Sequence, residues 1–361
     1  MKRPILTLLI AGAAFVLVFP ALKQPVENAP LGGLSEVISA KMIHPTPAPP
    51  VPQEPAKVTA AEQQVTPSKT AEEPEIRKLT LDQAEAYLLK NHRTAESLYA
   101  AYQTTGDRKY LNEAKEKFPN DPKVAMTAAL ISSATPEEKR QWLDTFKKSD
   151  PENALPFYLS AQDHFKQGQP DVALQEILVA QGKAHWQDYA LDSSLNAEEA
   201  LLSAGYSPAE SKISGQASTL LPALAPLKQL GASLGELAQS YQQAGDTASA
   251  QSSLQMALAL SRQLTSPLPQ PLIGTLVGMA IEKQALSSMD PNAPYGGEGR
   301  TVADQLAALG QQRDEVKKLN QQFQSIFPKL PEEGMVGYVE RQKTVGELSA
   351  MRWALQKYGP Q

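Results

Sequence analysis

The chain has no cysteine. Disulfides, thiolate metal sites, iron–sulfur clusters and cysteine nucleophiles are therefore excluded. Histidine is almost as scarce, with only His44, His92, His164 and His185 among 361 residues. Positive charge is not in surplus either: 34 lysines and arginines stand against 39 aspartates and glutamates, for a net charge of -5 and a pI near 5.6. Nothing in that balance neutralises a phosphate backbone, so no nucleic-acid partner is expected. Aromatics make up 6% of the chain, and Val, Ile and Thr runs at period two are missing beyond residue 79. The remainder is 42% apolar and 20% charged, enough for a sizeable core in one or two domains.

One long uncharged run is present. After Met1-Lys2-Arg3, residues Pro4 to Leu22 carry no charge, and Ile5 to Phe19 are apolar apart from Thr7 and Gly12. That is about the length a helix needs to cross a bilayer core. Lys2 and Arg3 are expected to stay in the cytoplasm, with the rest of the chain outside. The competing reading is a signal peptide removed on secretion. Cleavage needs small residues at two positions one residue apart, but Ala21 is preceded there by Phe19 and Ala29 by Glu27. The expectation is a single-pass anchor over 1–22 in a bacterial inner membrane, with the body in the periplasm. Residues 23–78 then read as a linker. His44 to Pro55 holds six prolines, which favour polyproline II, and 57–75 are polar and free of aromatics, as in a disordered spacer. Leu31 to Met42 is a candidate short helix.

From Leu79 onward Ala, Leu, Gln, Glu and Lys dominate, with apolar residues recurring every three and four positions. Turns are expected at Thr105-Gly-Asp107, Pro119-Asn-Asp-Pro122, Ser149-Asp-Pro151, Gly168-Gln-Pro170 and Ala244-Gly-Asp246. Helices of 10–15 residues joined by such turns stack as antiparallel pairs, so the fold class is all-α.

Within this body a pattern repeats. Phe157, Ser160, Ala161, His164, Gly168, Ala173, Ile177 and Ala180 share their spacing with Leu234, Leu237, Ala238, Tyr241, Gly245, Ala250, Leu254 and Ala257. The pattern resembles the tetratricopeptide repeat, a helical hairpin with small residues where its two helices cross. Ala161 and Ala173, like Ala238 and Ala250, occupy those places. A weaker copy, Thr94 to Asp121, has Leu111 where alanine is expected; Asp121 to Lys148 forms a further hairpin, and 184–232 do not fit. The resemblance implies a non-catalytic stack over 79–265 whose first helices line a groove for a protein or peptide partner. Its groove positions in the best copy are Leu155, Tyr158, Gln162, Phe165 and Lys166, and in the later copy Gly235, Gln239, Gln242 and Gln243. Tyr158 and Gln162 stand where one branch of the family carries a carboxylate clamp of lysine and asparagine, so that branch is not indicated. Tyr158, Gln162, Phe165 and Lys166 are taken as the candidate partner-binding site, with Phe157, Ala161 and His164 turned toward the paired helix.

Residues 266–361 form a separate helical region. Leu272 to Ile281 is apolar, with Gly274 and Gly278 four apart, but too short to span a bilayer, so close packing inside the body is expected. After a loop over 290–299, Thr301 to Ile326 carries Val302, Leu309, Val316 and Phe323 in a near-heptad stripe. Val336 to Lys357, with Val339, Val345 and Leu348, is its expected partner in a long helical hairpin. A coiled-coil dimer is the alternative, and with it a self-assembling envelope protein.

Other chemistry is not supported. Gly231-Ala-Ser-Leu-Gly235 matches the serine-hydrolase elbow, but no strand precedes it to strain the turn. Ser233 with Glu236 reads instead as a capping box opening a helix. Gly296-Gly-Glu-Gly-Arg300 lacks the lysine and hydroxyl of a nucleotide loop. His185 has only Asp188 at the helical i+3 spacing, and a single His and Asp pair does not define a metal site. No cofactor, no metal and no enzymatic activity are expected. The implied function is a membrane-anchored scaffold that holds protein partners.

Overall fold

A computed structural model describes residues 76–360 apart from 132–133, 266–268, 270 and 298. The anchor over 1–22, the Leu31–Met42 helix and the linker up to 75 lie outside the described residues. Among the described residues there are fifteen α-helices and no strand. No described helix is long and apolar enough to cross a membrane.

The helices are α1 (Leu81–Lys90), α2 (Ala95–Thr105), α3 (Arg108–Lys117), α4 (Pro122–Leu130), α5 (Pro136–Ser149), α6 (Leu155–Lys166), α7 (Pro170–Gln181) and α8 (Ala190–Ser203). They continue with α9 (Pro208–Ser218), α10 (Leu224–Gln243), α11 (Thr247–Thr265), α12 (Leu272–Ser287), α13 (Val302–Ile326), α14 (Glu332–Val345) and α15 (Glu347–Tyr358). Local chemistry sets the ends. Thr80, Thr135, Ser207 and Thr301 each close a capping box, with Gln83, Glu138, Glu210 and Asp304 respectively. Prolines 122, 136, 170 and 208 open their helices, where a missing N–H costs nothing. Gly106, Gly168 and Gly245 turn the chain at φ +76°, +70° and +79°, a region that a Cβ disfavours.

Consecutive helices pair as α2/α3, α4/α5, α6/α7 and α10/α11, and α6 also packs on α10, so the two best repeat copies are spatial neighbours. Ala161, Ala173, Ala238 and Ala250 are all buried. The run 184–232 leaves this stack. Its pair α8/α9 returns to pack α8 on α2, while α9 packs on α14. Contacts continue from α14 to α15, α13, α12, α11 and α10, and back through α6, α5, α4 and α3 to α2, closing a circuit. A large core spans α4 to α15, and a smaller one joins α1–α3 to Val124, Ala200 and Leu201.

Ahead of α1, Arg77 donates its backbone N–H to Ser214 Oγ (2.9 Å) and pairs with Glu210 (2.9 Å), tying this segment to α9. Two expectations are revised. The second arm of the C-terminal hairpin is two helices, broken at Gly346 with φ +81°. Val345, at that break, is 56% exposed and does not cover the α13 stripe. Val302, Leu309, Val316 and Phe323 are buried as one line against α12 and α15, and Phe323 stacks on Tyr338 at 4.6 Å. Ser233 opens no helix, since it lies midway along α10.

Candidate functional site

Helix α6 is enclosed by α5, α7 and α10, and that decides where the nominated groove residues point. Tyr158 and Gln162 are 0% and 3% exposed, Phe165 is half-buried and Lys166 is exposed. The four therefore do not form one open face. The Tyr158 ring packs on Trp186 at 5.8 Å. The half-buried Phe157 ring instead meets the ammonium groups of Lys183 (4.7 Å) and Lys147 (5.3 Å). Residues 158–163 are all buried, so α6 presents no open face along its middle. His164 is half-buried beside Gln169 at 2.8 Å. In the later copy Gln239, Gln242 and Gln243 are exposed as expected, whereas Gly235 is buried beneath Gln284.

An open groove of about 460 Å³ does run beside Tyr158, between α7 and α11. Leu178, Gln255, Met256 and Arg262 line it. The Tyr158 hydroxyl has no hydrogen-bond partner. Burial pushes it up to about 12, and the Arg262 guanidinium pulls the other way. Leu178 is 49% exposed in this groove, an apolar side chain left in water.

A second cleft, of about 210 Å³, sits where the irregular connection before α8 meets α9, α12 and α14. The connection is extended because the α5–α6 turn grips it. Asn153, fully buried, donates to Gln187 O (2.8 Å) and accepts from Gln187 N (3.1 Å). Ala154 N–H donates to His185 O (2.9 Å), and the Asp150 carboxylate takes His185 (3.1 Å) and the Tyr189 hydroxyl. Tyr189 sits at φ +57°, strained for a residue with a Cβ. This clamp sets Trp186 and Asp188 in the wall of the cleft, which Asp192, Gln216, Pro271, Gln342 and Lys343 also line. The Asp188 carboxylate accepts from Ala190 N–H (3.0 Å), and burial raises its pKa from the ordinary value. Lys343 is bound to Glu198 (2.5 Å) and Glu340 (3.6 Å). Gln342 is 6% exposed, and neither its amide oxygen nor its nitrogen has a partner.

The hydrolase elbow does not form: Ser233 is in the interior of α10, where Gly231 lies against Ile281. No group of three His, Asp or Glu able to hold a metal occurs among the described residues. Gly296 to Arg300 belongs to the loop closed by Tyr295 N–H donating to Arg300 O (2.9 Å). Sequence reading missed Asp188 and Gln342. For Asp188 the only signal was negative, the failure of 184–232 to fit the repeat, and for Gln342, a polar residue within the expected Val336–Lys357 helix, there was none.

No protein-family model, no curated protein and no solved structure matches the chain. The class that the described residues define is an all-α body of paired helices.

Proposed function

We propose that this chain is a non-enzymatic interaction protein, a tetratricopeptide-like helical body tethered by residues 1–22 to the far side of a bacterial-type inner membrane. The observation that carries the reading is the pair α6/α7 and α10/α11. They lie side by side, turn at Gly168 and Gly245, and bury Ala161, Ala173, Ala238 and Ala250. Partner capture is assigned to the rim of α6 at Phe165 and Lys166 and to the groove floored by Tyr158. The linker 23–78 lets the body search while raising its effective concentration at the membrane.

Cross-linking from intact membranes, followed by pull-down, tests it. Leu178→Asp with Arg262→Glu is expected to abolish capture of the recovered protein and leave the melting curve in place. Unchanged capture overturns the groove assignment. A reporter fused at Gln361 that works only in the cytoplasm overturns the topology.

A further inference from the structure

The cleft around Asp188 and Gln342 holds groups that the scaffold reading does not use. Gln342 is almost wholly buried, yet its amide has a free donor and a free acceptor. Leaving such a group unpaired costs about 1–3 kcal/mol. A single peptide unit can satisfy both ends at once, because a carboxamide pairs with another amide through one N–H and one C=O on each side. The same cleft carries two carboxylates, Asp188 and Asp192, with no ion pair to either among the described residues. The one lysine lining it, Lys343, is engaged by Glu198 and Glu340. Asp188 is half-buried, and a carboxylate withdrawn from water without a cation is stabilised by any cation that enters. Trp186 adds an aromatic wall of the kind that attracts an ammonium group.

We propose that this cleft binds an ammonium group carried beside an amide, the chemistry of a peptide's free amino terminus. Asp188 takes the ammonium against the Trp186 ring, with Asp192 at the mouth. Gln342 pairs with the first peptide unit. Acetylating the amine removes the charge, and removing the amide leaves Gln342 unpaired, so each loss alone weakens binding. The site is separate from the α7–α11 groove and does not depend on membrane anchoring.

Titration calorimetry on the full chain tests this, with alanyl-alanine amide, its N-acetyl form and ethylamine as probes. Saturable binding of alanyl-alanine amide is expected, with the other two weaker by at least about tenfold. Asp188→Asn and Gln342→Leu are each expected to weaken it by at least about tenfold, with circular dichroism melting unchanged for Gln342→Leu. If Asp188→Asn melts early, Asp192→Asn replaces it, with the same weakening expected. No saturable heat up to about 10 mM overturns the proposal. So does a smaller loss than tenfold for either control probe or for Gln342→Leu.

Discussion

The hydroxyl of Tyr158 is buried without a partner while its ring is sealed against Trp186. The two parts of one side chain therefore act in opposite directions. Tyr158→Ala removes a core ring and is expected to cost about 3–5 kcal/mol, whereas Tyr158→Phe removes only the unpaired hydroxyl and is expected to be neutral or slightly stabilising. Urea midpoints of the two variants check this, and a large loss in Tyr158→Phe contradicts the burial argument. Gly278 is tight for another reason. A Cβ there would lie 2.7 Å from Thr265 Cγ2 and 3.0 Å from Ser261 O on α11. Gly278→Ala gains helix propensity of up to about 1 kcal/mol, but forcing α11 and α12 apart costs about 1–3 kcal/mol. Net destabilisation is the expected result, and a raised melting temperature would show that the two helices have room to part.

At the scale of elements, charge sets two pH responses of opposite sign. The turn from α1 to α2 puts His92 and Arg93 at φ +54° and +50°, held by Arg93 to Glu85 (2.7 Å) and to Glu113. That guanidinium brings the Glu113 carboxyl down to about 2. Its contribution is present above the ordinary carboxyl value and is lost as pH falls toward 2. Arg93→Met is expected to cost about 1 kcal/mol at neutral pH, since the groups are partly exposed, and nothing near pH 2. Glu347 behaves the other way. It is 2% exposed and accepts from Leu272 N–H at the start of α12 (2.7 Å), and burial raises its carboxyl. The folded state then holds a proton that the unfolded chain has released, so stability falls as pH rises above the ordinary value of 4.5. Glu347→Gln is expected to gain on the parent as pH rises. Denaturation of both proteins at several pH values reads the difference, and a gap that narrows with pH refutes the assignment. Much of this layer was legible in the sequence. The turns at Gly106, Gly168 and Gly245 are local, and each glycine there announces its own geometry. Ser233 misled because a capping box and a helix interior share a composition, and only the tertiary contact of Gly231 with Ile281 decides between them. Tyr158 and Gln162 were expected on an open face because their burial depends on α5, α7 and α10, which periodicity within α6 does not register.

The circuit of helices is a property of the whole molecule, and no local pattern encodes it. Nothing in α8 or α9 names α2 and α14 as their partners. Glu198, Lys212, Lys343 and Glu340 join three helices far apart in the chain, with Lys212 to Glu198 at 2.6 Å. Since Val302, Leu309, Val316 and Phe323 are covered by α12 and α15, the body over 76–361 is expected to be monomeric at micromolar concentration. Leu309→Asp then destabilises the monomer instead of splitting a dimer. Sedimentation showing a concentration-dependent dimer that Leu309→Asp abolishes would make the stripe an intermolecular seam. The joining of α2 to α8 also bears on the order of synthesis. The N-terminal core is completed by Ala200 and Leu201, roughly a hundred residues after Leu98 has emerged. Until then α1–α3 present an uncovered apolar surface, and contacts of such sequence separation form slowly. A ribosome that stalls before α8 has emerged would therefore hold a nascent chain whose α1–α3 surface is open to chaperones and proteases.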